Sequence, residues 1–257
     1  MTFLLHFCGS PIYRRGHVHW YRPFFLCDSV CMVILSVKEL QMKKGVIFDM
    51  DGLLFDTEQI WQANWNRRAA ELGFEMDPEF KYNICGTSGQ LMVDVITRFF
   101  PDADAEDFIR TVKQRVAEDV RKGVPEMPGI HEIIEYFHKN GLKLAVASSS
   151  DKDIIRNNLS KSDVLQFFDV LVSGQDVEHG KPAPDIFLRA AGELGLDPAD
   201  CYVFEDGING VEAGLAAGCA TIMIPDLLKP NENCKANCAG IFDSLTEALE
   251  ALKRGDL

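Results

Sequence analysis

Acidic and hydroxyl residues gather where short apolar runs end in this 257-residue chain. Val46-Ile47-Phe48 runs into Asp49-Met50-Asp51-Gly52, and Tyr202-Val203-Phe204 runs into Glu205-Asp206. Residues 142–147 run into Ser148-Ser149-Ser150. If these runs are strands of an open parallel sheet, their carboxyl ends line the crevice where such sheets bind ligands. Several carboxylates converging there without basic partners repel one another, and a divalent cation is the natural resolution. Clustered carboxylate oxygens suit a hard ion such as Mg²⁺, which keeps some of its waters and bridges to phosphate. A lone Asp-x-Asp is weak evidence, being common in turns. Asp-x-Asp-Gly at one strand end, Ser at the next and Glu-Asp at another form a far more specific constellation.

The elements that must position these groups alternate in type from residue 43 onward. Besides the three runs above, Val170-Leu171-Val172 and residues 221–224 are short and apolar on both faces, as strands of a buried parallel sheet are. Between them lie helical stripes: Ile130, Ile133, Ile134 and Phe137; Ile154, Ile155 and Leu159; Ile186, Phe187, Ala190, Ala191 and Leu194. Strand–helix alternation predicts an α/β fold, a doubly wound Rossmann-like parallel sheet with right-handed crossovers. One interval breaks it. Residues 58–123 carry helical periodicity only, through Trp61, Trp65, Ala69 and Leu72, then Met92, Val95, Ile96 and Phe99, then Phe108, Val112, Val116 and Val120. This predicts an inserted small α-helical cap domain, with residues 43–57 and 124–257 forming the core and its aromatic residues taken as packing.

Residues 1–42 differ from the rest. They carry a charge of +2 against a total of −13, leaving −15 for the remainder. Their apolar stretches are too short or too interrupted for a secretory signal or a membrane span. Cys8, His17, His19, Cys27 and Cys31 fit no zinc-finger spacing. The segment reads as a non-catalytic extension, poorly ordered or upstream of a true start at Met42. The strong negative charge excludes binding to nucleic acid or an anionic membrane through the overall field. The eight cysteines, with Cys85, Cys201, Cys219, Cys234 and Cys238 completing the set, contain no CxxC pair. Cys201 and Cys219 read as buried at strands, and Cys234 and Cys238 as free thiols in a surface loop. The expectation is a reduced, cytoplasmic monomer.

Phe48-Asp49-Met50-Asp51-Gly52 with Asp56-Thr57-Glu58, Ala147-Ser148-Ser149-Ser150, Gly180-Lys181-Pro182-Ala183-Pro184-Asp185 and Phe204-Glu205-Asp206-Gly207 together resemble the four motifs of the haloacid dehalogenase superfamily, in order. The helical insert and the GKPAPD wording resemble its β-phosphoglucomutase-like phosphatases. The resemblance implies that Asp49 attacks phosphorus and Asp51 protonates the leaving alkoxide, then deprotonates water. It implies that Ser148 and Ser149 hold phosphate oxygens at a helix start and that Lys181 stabilises the transferring group. Asp49, the backbone carbonyl of Asp51, Asp206 and Glu205 would surround Mg²⁺, Glu205 as ligand or behind one. Gly52 permits the turn, and Thr57 and Asn209 border the substrate. His179 is left structural. Asp51 argues against a dehalogenase, since a halide needs no proton. Gly86-Thr87-Ser88-Gly89 lacks the arginine of the mutases, and Trp61 stands about where their histidine would be. The expected function is therefore an Mg²⁺-dependent phosphatase acting on a small phosphorylated metabolite, with a sugar-phosphate mutase as alternative and a non-catalytic binding protein as the reading from another class.

Overall fold

The computed structural model describes residues 42–87 and 89–257, so the reading of residues 1–41 lies outside them. Six strands, β1 Gly45–Phe48, β2 Lys143–Ser148, β3 Val170–Ser173, β4 Cys201–Glu205, β5 Ala220–Met223 and β6 Gly240–Ile241, form one parallel sheet in the order β3-β2-β1-β4-β5-β6. All five runs read from sequence are strands, with ends shifted by a residue: Leu142 and Ile224 fall outside. β6 is two residues long, too short to carry a period.

The sheet is covered on both faces, which is why its strands are apolar throughout. On one face Val46 and Phe48 pack with Ile133 and Phe137 of α5 (Ile130–Lys139) and Leu249 of α10 (Leu245–Arg254). Phe48 stacks on Phe204 with ring centres 5.2 Å apart and meets Phe137 edge-on at 6.1 Å. On the other face Ile47, Ala145 and Val203 pack with Phe187 and Ala191 of α7 (Asp185–Leu194) and Ala213 of α8 (Ile208–Ala216).

The helical interval comprises α1 Thr57–Glu71, α2 Phe80–Ile84, α3 Gly89–Phe99 and α4 Ala105–Lys122. It buries its own cluster around Trp65, Phe80, Phe100, Phe108 and Val112. Trp65 is 2% exposed and meets Phe80 at 5.8 Å and Phe108 at 6.0 Å. The stripe read over α1 is only partly inward: Leu72 is 40% exposed at its end, and Trp61 is half-buried. The chain enters and leaves this interval along paired segments. Asp56 N–H donates to Pro125 O at 2.8 Å and Met127 N–H to Leu54 O at 2.9 Å.

The cysteine reading needs one correction. Cys234 is not in a surface loop but fully buried on α9 (Glu232–Asn237), against Val211 and Met223. Asn231 caps this short helix by accepting from Cys234 N–H at 2.8 Å, which stops the segment from running as a loop. Cys201, Cys219 and Cys234 are buried, Cys85 and Cys238 are half-buried, and all five are free thiols.

Candidate active site

Strand register brings the sequence motifs side by side. Phe48 at the end of β1 (Gly45–Phe48) lies opposite Val146 of β2 and Phe204 of β4. Asp49, Ser148 and Glu205-Asp206 therefore emerge from three adjacent strands. The chain order reverses at β1, with β2 and β3 on one side and β4, β5 and β6 on the other. Connections leave that point in opposite directions and open a crevice.

Lys181 sits between the acids. Its Nζ donates to Asp49 Oδ1 at 2.5 Å, Glu205 Oε1 at 2.6 Å and Ala147 O at 3.2 Å, and its side chain is 9% exposed. Burial opposes its charge, but the carboxylates of Asp49 and Glu205 prevail and hold the ammonium above its ordinary range. Burial pushes the Asp49 carboxyl up, Lys181 draws it back, and Glu205 and Asp51 add repulsion. Glu205 is fully engaged: its Oε2 accepts from Asp206 N–H at 2.9 Å and Gly207 N–H at 3.0 Å. Gly210 makes room for it, since a Cβ there would lie 1.7 Å from Glu205 Oε1.

Asp51 is held by two hydroxyls. Ser148 Oγ donates to its Oδ2 at 2.9 Å and Ser150 Oγ to the same atom at 2.8 Å. Ser148 Oγ also accepts from Ser150 N–H at 3.0 Å, so the fully buried Ser148 faces Asp51 here. Ser149 is exposed. Ser150 was not singled out from the sequence, although the serine run ending at the helix start was its signal.

Asp206 is the acid with fewest partners. Burial and the neighbouring charges of Glu205 and Asp49 push its carboxyl up, and its side chain accepts no hydrogen bond from any described residue. Gly52, at φ +84°, leaves it space: a Cβ there would lie 2.5 Å from Asp206 Oδ2. Among the described residues no three acidic, histidine or cysteine side chains enclose an ion by themselves. Mg²⁺ does not require that, since it keeps waters and takes one or two carboxylates plus substrate phosphate. An oxygen-only donor set with one half-buried carboxylate that has no partner among the described residues fits it.

A cleft of about 500 Å³ runs from Asp51, Gly52 and Asp206 out between the sheet end and the helical interval. Thr57, Glu58, Trp61 and Thr87 line the helical side, and Asn209 and Asp226 line the sheet side. Asp49, Ser148 and Lys181 lie outside this lining. Thr57 is not the helix cap, because Asp56 accepts from Gln59 N–H at 2.9 Å. His179 pairs with Asp185 at 3.0 Å and is not part of the cleft. Glu58, Trp61 and Asp226 are additions to the sequence reading. Asp226 follows the fifth strand, and the rule that found polar groups at strand ends could have found it.

Comparison with known proteins places these features. Residues 46–224 match the family model described as haloacid dehalogenase-like hydrolase. A phosphorylated carbohydrates phosphatase of Thermotoga maritima is 32% identical over 179 residues, 68% of this chain and 82% of that protein. Hexitol phosphatase B of Escherichia coli is 30% identical over 184 residues, 70% of this chain and 83% of that protein. The crystal structure of a hydrolase of the same family from Deinococcus radiodurans, with bound phosphate and sodium, superposes with a TM-score of 0.72 at 25% identity, covering 83% of this chain and 96% of that one.

Proposed function

From the premise that the chain belongs to the haloacid dehalogenase-like hydrolases and, like its phosphatase relatives, is a phosphoric monoester hydrolase, we propose that it is an Mg²⁺-dependent phosphatase that forms an aspartyl-phosphate on Asp49. The observation that carries the proposal is Lys181 bridging buried Asp49 and Glu205 beside the twice-held carboxylate of Asp51.

A carboxylate oxygen of Asp49 attacks phosphorus, and the bond to the leaving oxygen breaks. Asp51 delivers its proton to that oxygen, so a neutral alcohol departs. Asp51 then takes a proton from water, whose oxygen attacks the phosphorus of the aspartyl-phosphate and releases inorganic phosphate with Asp49 restored. Lys181, fixed by Glu205, keeps a positive charge against the nucleophile and the equatorial oxygens. Ser148 and the exposed turn at Ser149 bind phosphate oxygens once Asp51 turns from the serine hydroxyls toward the leaving group. Asp49, Asp206 and the backbone carbonyl of Asp51 would hold Mg²⁺, with Glu205 serving as the anchor of Lys181 rather than as a ligand. When bound, the ion neutralises charge on the transferring group. Gly52 clears Asp206, and Thr57 and Asn209 border the substrate.

Residues 58–123 act in this reading as a cap domain hinged at the paired crossings near Asp56 and Pro125. The hinge matters because Asp49 lies outside the cleft lining, with its side chain only 8% exposed. Opening admits the ester, and closure excludes bulk water. Acid-quenching the enzyme during turnover of a ³²P-labelled monoester tests the intermediate. Label retained on wild-type protein, released by alkali and absent from Asp49→Asn, is expected. Unlabelled wild-type protein under rapid quench, with turnover under way, would contradict it.

A further inference from the structure

A serine hydroxyl has one proton to give. That of Ser148 goes to Asp51 Oδ2 at 2.9 Å, while its oxygen accepts from Ser150 N–H at 3.0 Å. A phosphate oxygen that binds to Ser148 must take the same proton. Carboxylate and phosphate therefore compete for it, and phosphate gains Ser148 only as Asp51 leaves. Ser150 weights that competition. Its own hydroxyl donates to the same atom, Asp51 Oδ2, at 2.8 Å, and so holds the carboxylate where phosphate would displace it.

Both partners in this contact have fixed backbones. The Ser150 carbonyl accepts from the hydroxyl of Ser173, buried at the end of β3, at 2.7 Å. Gly174 lies against the same turn, so close that a Cβ there would stand 3.1 Å from Ser149 O. Gln175 Nε2 donates to Asp151 Oδ1 at 2.6 Å, completing the clamp ahead of α6 (Lys152–Lys161). Across the crevice, Gly52 N–H donates to Phe55 O at 2.8 Å. Leu54 and Phe55 N–H both donate to Met50 O, at 3.0 and 3.1 Å, which closes a tight loop around Asp51. Asp51 can leave the serines only by turning its side chain, and each return brings it to the same hydroxyl.

Building on the phosphatase reading above, we infer that Ser150 is a positioning residue that holds Asp51 withdrawn until phosphate arrives, making phosphate binding and placement of the acid a single event. Phosphate takes the Ser148 proton, and Asp51, left with Ser150 alone, turns toward the leaving oxygen. A hydrogen bond to a carboxylate is stronger than one between neutral groups, and its loss is worth about tenfold in an equilibrium. Deleting the Ser150 hydroxyl should therefore strengthen phosphate binding. Deleting a serine that binds phosphate, or one that only supports the turn, would weaken it or leave it unchanged.

The test is a double-mutant cycle on the affinity for inorganic phosphate, measured by titration calorimetry with Mg²⁺. Wild type, Ser150→Ala, Asp51→Ala and the double variant are compared, with folding verified by circular dichroism. Ser150→Ala should tighten phosphate by about tenfold when Asp51 is present and change nothing in the Asp51→Ala background. Ser150→Thr, which keeps the hydroxyl, should bind phosphate as wild type does. Unchanged or weaker binding in Ser150→Ala overturns the inference. So does equal tightening in both backgrounds, or in Ser150→Thr, since Ser150 would then not act through Asp51. Phosphate that no variant binds overturns it too. In turnover, Ser150→Ala should raise kcat/KM on hexyl phosphate and p-nitrophenyl phosphate alike, and a fall confined to the alkyl ester overturns the inference by making Ser150 a support of the working acid. If the cycle holds while wild type turns over neither ester, the competition stands and the phosphatase reading fails.

Discussion

The end of the sheet and the helical wall that faces it are both acidic, yet they are held in different ways. At the sheet end three of the polar groups are each fixed by several others: Lys181 spans Asp49 and Glu205, Glu205 also takes two backbone N–H groups, and Asp51 takes two serine hydroxyls. Gly52 and Gly210 are small so that Asp206 and Glu205 can come close. On the helical side Glu58 has a single side-chain partner among the described residues, and Trp61 is half-buried over an independent aromatic cluster. Charged groups held in place spare the reaction the cost of reorganisation, and in the proposed mechanism only Asp51 has to turn.

That contrast can be broken by substitution, the largest effects lying at the sheet end. Asp51→Asn should cut kcat by about 10²- to 10⁴-fold on alkyl phosphates, the usual weight of a general acid. On p-nitrophenyl phosphate, whose leaving group needs no proton, the loss should be smaller; equal losses on both would remove Asp51 from that role. Lys181→Met should lower kcat by about 10²- to 10³-fold. It should also destabilise the fold by about 3–5 kcal/mol in urea titration, because two buried carboxylates lose the cation they share. A variant of undiminished stability would mean those acids are already neutral or solvated.

On the helical side the effects should be on stability before chemistry. Trp65→Ala should cost about 3–5 kcal/mol, read as a lower urea midpoint. A separate early transition would show that the helical interval unfolds on its own. The smallest effect should come from Glu58→Gln. Glu58 is raised from 4.5 to about 7, chiefly by burial, with Asp226 and Asp56 adding repulsion and Cys85 nearby. The folded protein therefore holds a proton that the unfolded chain has released between those values, so stability falls as pH rises through that window. Removing the charge should raise Tm at pH 8 relative to pH 5, by roughly 2–4 °C after allowance for solvent screening. A gain that is equal at both pH values would show that the carboxylate is not desolvated.

The sheet end was legible because its residues sit in contiguous motifs directly after apolar runs. Asp49 and Asp51 follow β1, and Ser148 and Glu205 end β2 and β4, strands whose register is set by the same few residues. The two faces of the sheet were legible too, from Val46 and Phe48 against Ile47. What escaped depends on distances that sequence does not encode. Ser150 lies two residues past Ser148, the residue that drew attention, and its bond to Asp51 spans 99 positions. Trp61 follows the same helical period as Trp65 and looks like core until the cleft is seen. Cys234 read as loop because its helix is six residues long, too short to show a stripe. The engagement of Glu205 by Lys181 and two backbone amides is likewise not written in residue types alone.

The central claim is that Asp49 carries the phosphoryl group, and it is tested most directly by phosphate release from a phosphomonoester panel, with and without Mg²⁺, for wild type and Asp49→Asn. Release that requires Mg²⁺ in wild type and falls by about 10⁴-fold or more in folded Asp49→Asn is the expected result. Release that survives the substitution in clean protein would contradict the account.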